Sequence, residues 1–126
     1  MGFLRENGID EERISRIVQM ISEISFSAGN GKPSTIEGMC VQDADRLDAM
    51  GAIGIGRAFA FGGSRGRRMH DPEGVDSTST IQHFYDKLLL LKDLMNTRTG
   101  RKMAQQRDVF LRGFLDEFYA EWDGIR

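Results

Sequence analysis

Residues 41–63 read VQDADRLDAMGAIGIGRAFAFGG, and this stretch decides the fold. Its first half places the carboxylates of Asp43, Asp45 and Asp48 in a segment that is otherwise mostly apolar and becomes rich in glycine. An isolated ionised carboxylate is costly to bury, so such groups are usually paired with a cation, protonated or bound to a metal ion. The stretch therefore predicts a helix whose acidic side chains have specific partners.

At helical periodicity, residues 36–55 form two apolar stripes, one containing Asp43 and the other containing Asp45 and Asp48. The first stripe consists of Ile36, Met39, Cys40, Leu47 and Met50, and the second consists of Val41, Ala52 and Ile55. A helix that is apolar on two sides is typical of the centre of a core. Two interpretations follow for the carboxylates, which either pair with arginines or bind a metal ion.

Apolar residues recur every three or four positions along most of the chain, which predicts an all-α helical bundle of about five helices. No segment shows the alternation of apolar and polar residues that marks a strand. The predicted helices are a short one ending before Gly8, then residues 11–25, a helix from a cap at Ser34 to about Met50, and residues 79–95 and 101–122. The third could continue through residues 52–61, although each glycine there weakens a helix.

Local signals mark several boundaries between these elements. Asp10 has the position of an N-cap, and Ser34-Thr35-Ile36-Glu37 has the spacing of a capping box in which Ser34 accepts an amide and Glu37 reaches back. Residues 62–78 are the most polar and basic part of the chain and are predicted to form a loop. Residues 96–100 are predicted to form a turn, and the whole chain, 1–126, is predicted to form one helical domain.

The composition excludes several classes of protein. The 126 residues are 40% hydrophobic and 29% charged, as in an ordinary globular protein. A net charge of −2 argues against general attraction to nucleic acid or to an anionic membrane. No apolar run approaches the roughly 20 residues that a membrane-spanning helix needs. A lone cysteine, Cys40, cannot form an internal disulfide, which favours a cytoplasmic location.

The opening stretch resembles the last motif of the HD-domain metal-dependent phosphohydrolases, and most closely their small bacterial branch that acts on nucleotides. The resemblance extends over about residues 10–122. It is carried by Ile24-Ser25-Phe26-Ser27, by residues 81–88 (IQHFYDKL) and 91–97 (LKDLMNT), by Ala104 to Arg107 and by Glu121-Trp122. The resemblance implies a helical HD-domain fold and hydrolase activity towards nucleotides or related phosphoesters.

In that family a divalent cation is held by an early His, a His-Asp dyad and a late Asp, and it activates a water molecule for attack on phosphorus. The resemblance assigns the late Asp to Asp45, with Asp43 as the alternative. The only histidines here, His70 and His83, follow Asp45. The chain therefore resembles the C-terminal portion of an HD domain without three of its four ligands. By itself, it is expected to have little or no hydrolytic activity.

His70-Asp71 also spells a His-Asp pair, but its order along the chain differs from the family's, and Pro72 places it in a loop. The resemblance implies that His83 and Lys87, one helical turn apart, contact substrate phosphate; the alternative is a surface pair. Arg46 and Arg57 are further candidates for neutralising phosphate, or they balance the three aspartates. The cluster Arg65-Gly66-Arg67-Arg68 is interpreted as a solvated loop, with contact to RNA as a weaker hypothesis.

A hypothesis from another class is a non-catalytic helical module for oligomerisation or regulation. If helices that normally cover the core are absent, apolar faces around Ile14–Ile24 and Ile36–Met50 are exposed. Exposed faces of this kind generally form contacts with partners. The sequence therefore also predicts a homo-oligomer.

Overall fold

The computed structural model describes residues 2–26 and 31–126. Within these ranges the chain forms six α-helices and one 3-10 helix and contains no strand, so the predicted all-α fold is confirmed. The α-helices are α1 (Gly2–Glu6), α2 (Glu11–Phe26), α3 (Ile36–Asp48), α4 (Gly51–Ser64), α5 (Thr80–Asp86) and α6 (Arg98–Trp122), and the 3-10 helix is Leu88–Leu94. No helix described is long and apolar enough to cross a membrane. Of the segment from Phe26 to Pro33, where the sequence predicts a break between helices, residues 27–30 lie outside the described residues.

The chain divides into two compact units, and the boundary between Gln42 and Asp43 falls inside α3. In the first unit, Asp10 caps α2 as predicted, because its Oδ1 accepts the amide of Arg13 at 2.9 Å. The preceding turn is closed by Gly8, whose φ of 75° lies in the left-handed region. Both local signals at this end of the chain therefore act as the sequence indicates.

The cap of α3 lies one residue later than predicted. Thr35 Oγ1 accepts the amide of Gly38 at 3.0 Å, so Thr35 and not Ser34 is the N-cap. Ser34 instead donates its hydroxyl to Glu23 on α2 at 2.7 Å, and its amide donates to the same carboxylate at 3.0 Å. A tertiary partner for Ser34 thus overrides the local capping box.

A sharp turn separates α3 from α4 within the opening stretch. Met50 is extended, with φ −109° and ψ 163°, and Gly51 follows with φ 73°. Residues other than glycine rarely adopt that conformation. A Cβ at Gly51 would also lie 3.3 Å from Cγ of Arg107 on α6. The helix ending near Met50 therefore does not continue through residues 52–61, which belong to the separate helix α4.

The turn also overturns the prediction of a helix buried on two sides. Leu47 and Met50 in the first stripe are only 8% and 1% exposed. In the second stripe, Val41 is 54% exposed, and Asp45 and Asp48 are exposed as well. The second stripe was defined across the turn at Gly51, so its members do not lie on one helical face.

The helix predicted over 79–95 is two elements. Lys87, with φ −137° and ψ −59°, ends α5 and precedes the 3-10 helix. Residues three apart lie on one side of a 3-10 helix. Leu88 and Leu91 are accordingly 2% and 3% exposed; Leu89 is also buried, at 7%, whereas Leu90 is 53% exposed. The break at Lys87 thus lets this segment present a different face to the core than α5 does.

The core of the second unit combines these leucines with aromatic rings. Phe84 on α5 is fully buried, and its ring centroid lies 5.9 Å from that of Phe59 on α4 and 5.7 Å from that of Phe114 on α6. Phe118, one turn further along α6, continues the group, with its ring 6.2 Å from Phe59. Phe114 and Phe118 of α6 therefore pack against both α4 and α5.

The last helix, α6, begins at Arg98, three residues earlier than predicted, because Thr97 caps it. Thr97 Oγ1 accepts the amide of Gly100 at 3.0 Å. Gly100 is buried, and a Cβ there would lie 2.3 Å from Oδ2 of Asp43 and 2.9 Å from Oγ1 of Thr97. Residues 96–100, predicted to form a turn, thus include the cap and first turn of α6, where α3 approaches closely.

This close approach predicts opposite effects of the same substitution at two glycines of α6. Gly100→Ala should lower the free energy of unfolding by about 2 kcal/mol, because its methyl group displaces the Asp43 carboxylate. Gly113→Ala should raise it by up to about 1 kcal/mol, because no heavy atom lies within 4 Å of a Cβ there and alanine favours a helix. Urea denaturation followed by circular dichroism measures both. Equal effects would contradict the close approach.

Candidate functional site

Asp43 is a buried carboxylate that connects α3 to the start of α6. It is 3% exposed. Its Oδ1 accepts the backbone amide of Asn96 at 2.7 Å and the side-chain amide at 3.0 Å. Its Oδ2 accepts the amide of Thr97 at 2.8 Å and the hydroxyl at 2.7 Å. Four hydrogen bonds match the number of lone-pair sites that a carboxylate offers.

These hydrogen bonds keep Asp43 ionised in spite of its burial. Burial by itself would raise the pKa of Asp43, but the hydrogen bonds from Asn96 and Thr97 outweigh it and hold the pKa below its ordinary value. Each oxygen of the Asp43 carboxylate therefore accepts two hydrogen bonds, which compensate its charge. Its structural role accounts fully for one of the three aspartates in the opening stretch.

Asp45, two residues later, has the opposite surroundings. It is exposed, and among the described residues it makes no hydrogen bond or ion pair. Its electrostatic neighbour is Arg46, which donates a hydrogen bond to the carbonyl of Leu94. Burial lowers the pKa of the Arg46 guanidinium, and the negative charges of Asp43 and Asp45 oppose this change. Arg46 is thus held against the end of the 3-10 helix, and Asp45 retains an available carboxylate.

The third aspartate, Asp48, forms an ion pair with Arg57 on α4. Both side chains are largely exposed, so the pair contributes little to stability. This contact agrees with the interpretation in which the arginine balances the acidic stretch. It leaves the three aspartates with three distinct environments, although they lie within six residues of one another.

A divalent cation does not fit the described residues by themselves. No group of three or more His, Cys, Asp or Glu side chains in residues 2–26 and 31–126 is arranged to hold a metal ion. Asp45 can offer one carboxylate, whereas cations of this kind need several ligands in fixed geometry.

The second unit contains a cleft of about 380 Å³ between α4, the following loop and α5. Its polar lining consists of Arg57, Arg67, Thr78, Thr80 and His83, and its walls include Phe61 and Leu88. Two guanidinium groups, an imidazole and two hydroxyl groups therefore surround one space. Such groups donate hydrogen bonds to anions, and guanidinium groups suit phosphate in particular.

The cleft contains only part of the set of basic residues that the sequence indicates. Arg57 and His83 line it, whereas Arg46 binds the carbonyl of Leu94 elsewhere. Lys87 does not line it, but its charge reaches His83. Burial lowers the pKa of His83, and the positive charge of Lys87 lowers it further. The negative charge of Asp86 opposes this change, and Arg67 adds a smaller lowering.

Arg67, Thr78 and Thr80 are cleft residues that the sequence reasoning missed. Arg67 belongs to the basic cluster at 65–68, for which the sequence predicts a solvated loop. Arg65 and Arg67 both contact the ring of Phe61, but only Arg67 lines the cleft. The guanidinium groups of Arg65 and Arg67 lie 5.0 and 5.3 Å from the centre of that ring. The loop itself runs over residues 65–79, slightly later than the predicted 62–78.

The pair His70-Asp71 is not arranged as a ligand dyad. The Asp71 carboxylate accepts the amides of Glu73, Val75 and Asp76 at 3.1, 3.0 and 2.7 Å. These hydrogen bonds, led by that of Asp76, lower the pKa of Asp71. The imidazole of His70 lies instead beside aromatic rings of α6. Asp71 therefore binds backbone amides of its own loop, and His70 contacts α6.

Comparison with known proteins identifies similar sequences and structures. No model of a protein family matches the chain. The chain is 43% identical over 122 residues to the uncharacterized protein YpgQ of Bacillus subtilis; the match covers 94% of this chain and 57% of YpgQ. The chain thus spans little more than half the length of that curated relative.

Solved structures agree with the sequence match. The crystal structure of an HD-superfamily hydrolase from Bacillus thuringiensis is 42% identical, with a TM-score of 0.79, over 97% of this chain and 60% of that one. The crystal structure of Bacillus subtilis YpgQ in complex with ADP is 39% identical, with a TM-score of 0.84, over 95% and 58% of the two chains. The helical fold is therefore that of an HD-superfamily hydrolase.

The hydrogen bonds of Asp43 predict a specific effect on stability at neutral pH. Asp43→Asn should lower the free energy of unfolding by about 3 kcal/mol at pH 7, because an amide nitrogen would face buried donors. Asp45→Asn, two residues away and exposed, should change it by less than about 0.5 kcal/mol. Urea denaturation of both variants measures the difference.

The same contact predicts a pH dependence. The folded pKa of Asp43 lies below the unfolded value of about 3.9. Its contribution is thus fully present above about pH 4 and is lost as the pH falls through the folded pKa. The stability difference between the wild-type chain and Asp43→Asn should therefore shrink progressively below about pH 4. A constant difference down to pH 2 would show that Asp43 is not an ionised acceptor.

Proposed function

We propose that this chain forms the phosphate-binding part of an HD-superfamily metal-dependent phosphohydrolase that acts on nucleotides or related phosphoesters. The observation that carries the proposal is the cleft lined by Arg57, Arg67 and His83 in a chain 39% identical to a protein crystallised with ADP. The match to an HD-superfamily hydrolase at 42% identity supports the class of reaction. The chain spans 57–60% of these proteins, so the activity that we propose is that of a longer protein.

The cleft has the chemistry that a nucleotide phosphate requires. The guanidinium groups of Arg57 and Arg67 can each donate two hydrogen bonds to phosphate oxygens, and the hydroxyl groups of Thr78 and Thr80 add further donors. Burial and nearby positive charge lower the pKa of His83, and a bound anion would act in the opposite direction and favour its protonation. A volume of about 380 Å³ lies within the range of small-ligand sites.

Asp45 is the carboxylate that we propose as the ligand of a divalent cation. Asp43, the alternative, is disfavoured because four hydrogen bonds occupy its oxygens, whereas Asp45 is exposed and lacks such partners among the described residues. The remaining ligands of the HD-type site would come from polypeptide outside this sequence. We therefore expect the chain alone to be inactive.

A non-catalytic role in oligomerisation or regulation is the second candidate, and exposed apolar side chains favour it. Val18 and Ile21 on α2 are 39% and 50% exposed, and Ile36 and Val41 on α3 are 61% and 54% exposed. A homo-oligomer that covers them would be detected by sedimentation equilibrium. The cytoplasmic location expected from the lone Cys40 is part of both proposals.

The cleft predicts that ADP binds this chain and that two neighbouring arginines differ in their effect. Arg67→Ala should weaken ADP binding by about tenfold or more, because it removes a charged hydrogen-bond donor from the cleft. Arg65→Ala should change the dissociation constant by less than about threefold, since Arg65 contacts the same Phe61 ring but does not line the cleft. Isothermal titration calorimetry with ADP measures both. Equal losses would indicate a general charge effect of the loop.

The assignment of Asp45 predicts the behaviour of a completed enzyme. The chain alone should release no product from nucleoside triphosphates in the presence of Mn²⁺. When it is joined to the part of Bacillus subtilis YpgQ that the match leaves uncovered, we expect metal-dependent hydrolysis, with Asp45→Ala lowering the rate on the order of 100-fold or more. Chromatography of the nucleotides measures this rate.

Glu37→Gln provides the control, because Glu37 is another exposed carboxylate of α3. It should retain the rate within about threefold. Metal-dependent hydrolysis by the unextended chain, unaffected by Asp45→Ala, would refute the assignment.

A further inference from the structure

The loop over residues 65–79 carries two of the cleft's polar residues, Arg67 and Thr78, yet it lies on the surface between α4 and α5. Arg68 and Met69 are exposed, and the cleft-lining Arg67 is exposed as well. A long surface loop costs conformational entropy to order. Specific contacts must therefore hold Arg67 in the cleft.

Backbone hydrogen bonds tie the first part of the loop to both flanking helices. The amide of Arg67 donates to the carbonyl of Gly62 on α4 at 2.9 Å. The carbonyls of Arg68 and Met69 accept the amides of Thr80 and Ile81, the first two residues of α5, at 3.0 and 2.9 Å. Arg67 thus lies directly before a short backbone pairing with the start of α5.

His70 follows this pairing, and its side chain contacts α6. Its ring centroid lies 5.8 Å from that of Phe118, 5.4 Å from that of Tyr119 and 5.1 Å from that of Trp122, at interplanar angles of 88°, 67° and 85°. Edge-to-face contacts at such distances are the favourable arrangement of aromatic rings. His70 is partly buried while its neighbours Arg68 and Met69 are exposed.

The three rings continue the aromatic group of the core towards the surface. Phe118 stacks on Trp122 at 5.7 Å and contacts Phe114 at 5.9 Å, and Phe114 in turn stacks on the fully buried Phe84. A side chain that contacts Phe118 is therefore positioned relative to the hydrophobic core. Phe84 on α5 also lies one residue after His83. The helix that carries His83 and the loop that carries Arg67 therefore both contact the same aromatic group.

We propose that His70 is a positioning residue for the cleft: its ring seats the loop against Phe118, Tyr119 and Trp122 on α6 and so holds Arg67 beside His83. The substrate role of the cleft rests on the proposed function, but the placement of Arg67 does not. His70 does not line the cleft, so its effect on a ligand would act through the loop.

The composition of the chain provides a direct test that needs no ligand. His70 and His83 are the only histidines, and Trp122 is the only tryptophan. In His70→Ala, His83 alone gives imidazole signals, so its pKa can be read from proton NMR. Because Arg67 is among the groups that lower the pKa of His83, release of the loop should raise that pKa and shift the emission of Trp122 to longer wavelength.

The variants then separate positioning from general stability. His70→Phe retains an aromatic ring and should keep the pKa of His83 at its wild-type value, whereas Arg67→Ala should raise it without shifting the Trp122 emission. If His70→Ala does not fold, His70→Asn gives the same comparison with a polar side chain. An unchanged pKa of His83 in a folded variant without the ring would overturn the proposal.

ADP binding by calorimetry connects this inference to the proposed function. His70→Ala should weaken ADP binding roughly fivefold to tenfold, and His70→Phe should restore it. Wild-type chain that fails to bind ADP, with a raised His83 pKa in His70→Ala, would refute the proposed function and retain the positioning role. ADP binding that is unaltered in His70→Ala, although Trp122 emission shifts, would refute the positioning role alone.

Discussion

The carboxylate of Asp43 makes the contact on which the arrangement of the second unit depends. It accepts four hydrogen bonds from Asn96 and Thr97, residues 53 and 54 positions away along the chain. The donors include two backbone amides at the start of α6, which have no partner inside that helix. A negative charge at this position also interacts favourably with the helix dipole. The buried Gly100 makes room for this carboxylate, so the contact brings Asp43 close to the first turn of α6.

Two consequences for the candidate site follow from that contact. Asp43 is fully occupied by the fold, so the neighbouring exposed Asp45 is the carboxylate of the pair that is available to a ligand. α6, once its start is placed, presents Phe114 and Phe118 to α4 and α5, the helices that form two sides of the basic cleft. Within this short acidic stretch, the buried Asp43 is used by the fold, whereas Asp45 stays exposed.

The sequence indicated two of the five polar residues that line the cleft. Arg57 and His83 were identified from residue type and resemblance, and both line the cleft. Arg67 was interpreted as part of a solvated loop, since nothing local distinguishes it from Arg65 and Arg68. The backbone pairing of that loop with α5 and the contacts of His70 with α6 place Arg67. Arg46 was predicted beside the phosphate, but the carbonyl of Leu94 binds it elsewhere.

Periodicity determined that the chain is helical, because a helix is formed by interactions three and four residues apart, which the sequence records directly. It also determined the N-cap at Asp10. Tertiary structure decided where several helices begin and end: Glu23 binds Ser34 and leaves the cap of α3 to Thr35, and Thr97 begins α6 beside Asp43. It also decided which aspartate is buried. Such contacts join residues far apart in sequence, and no local pattern specifies which distant donor will meet a given carboxylate.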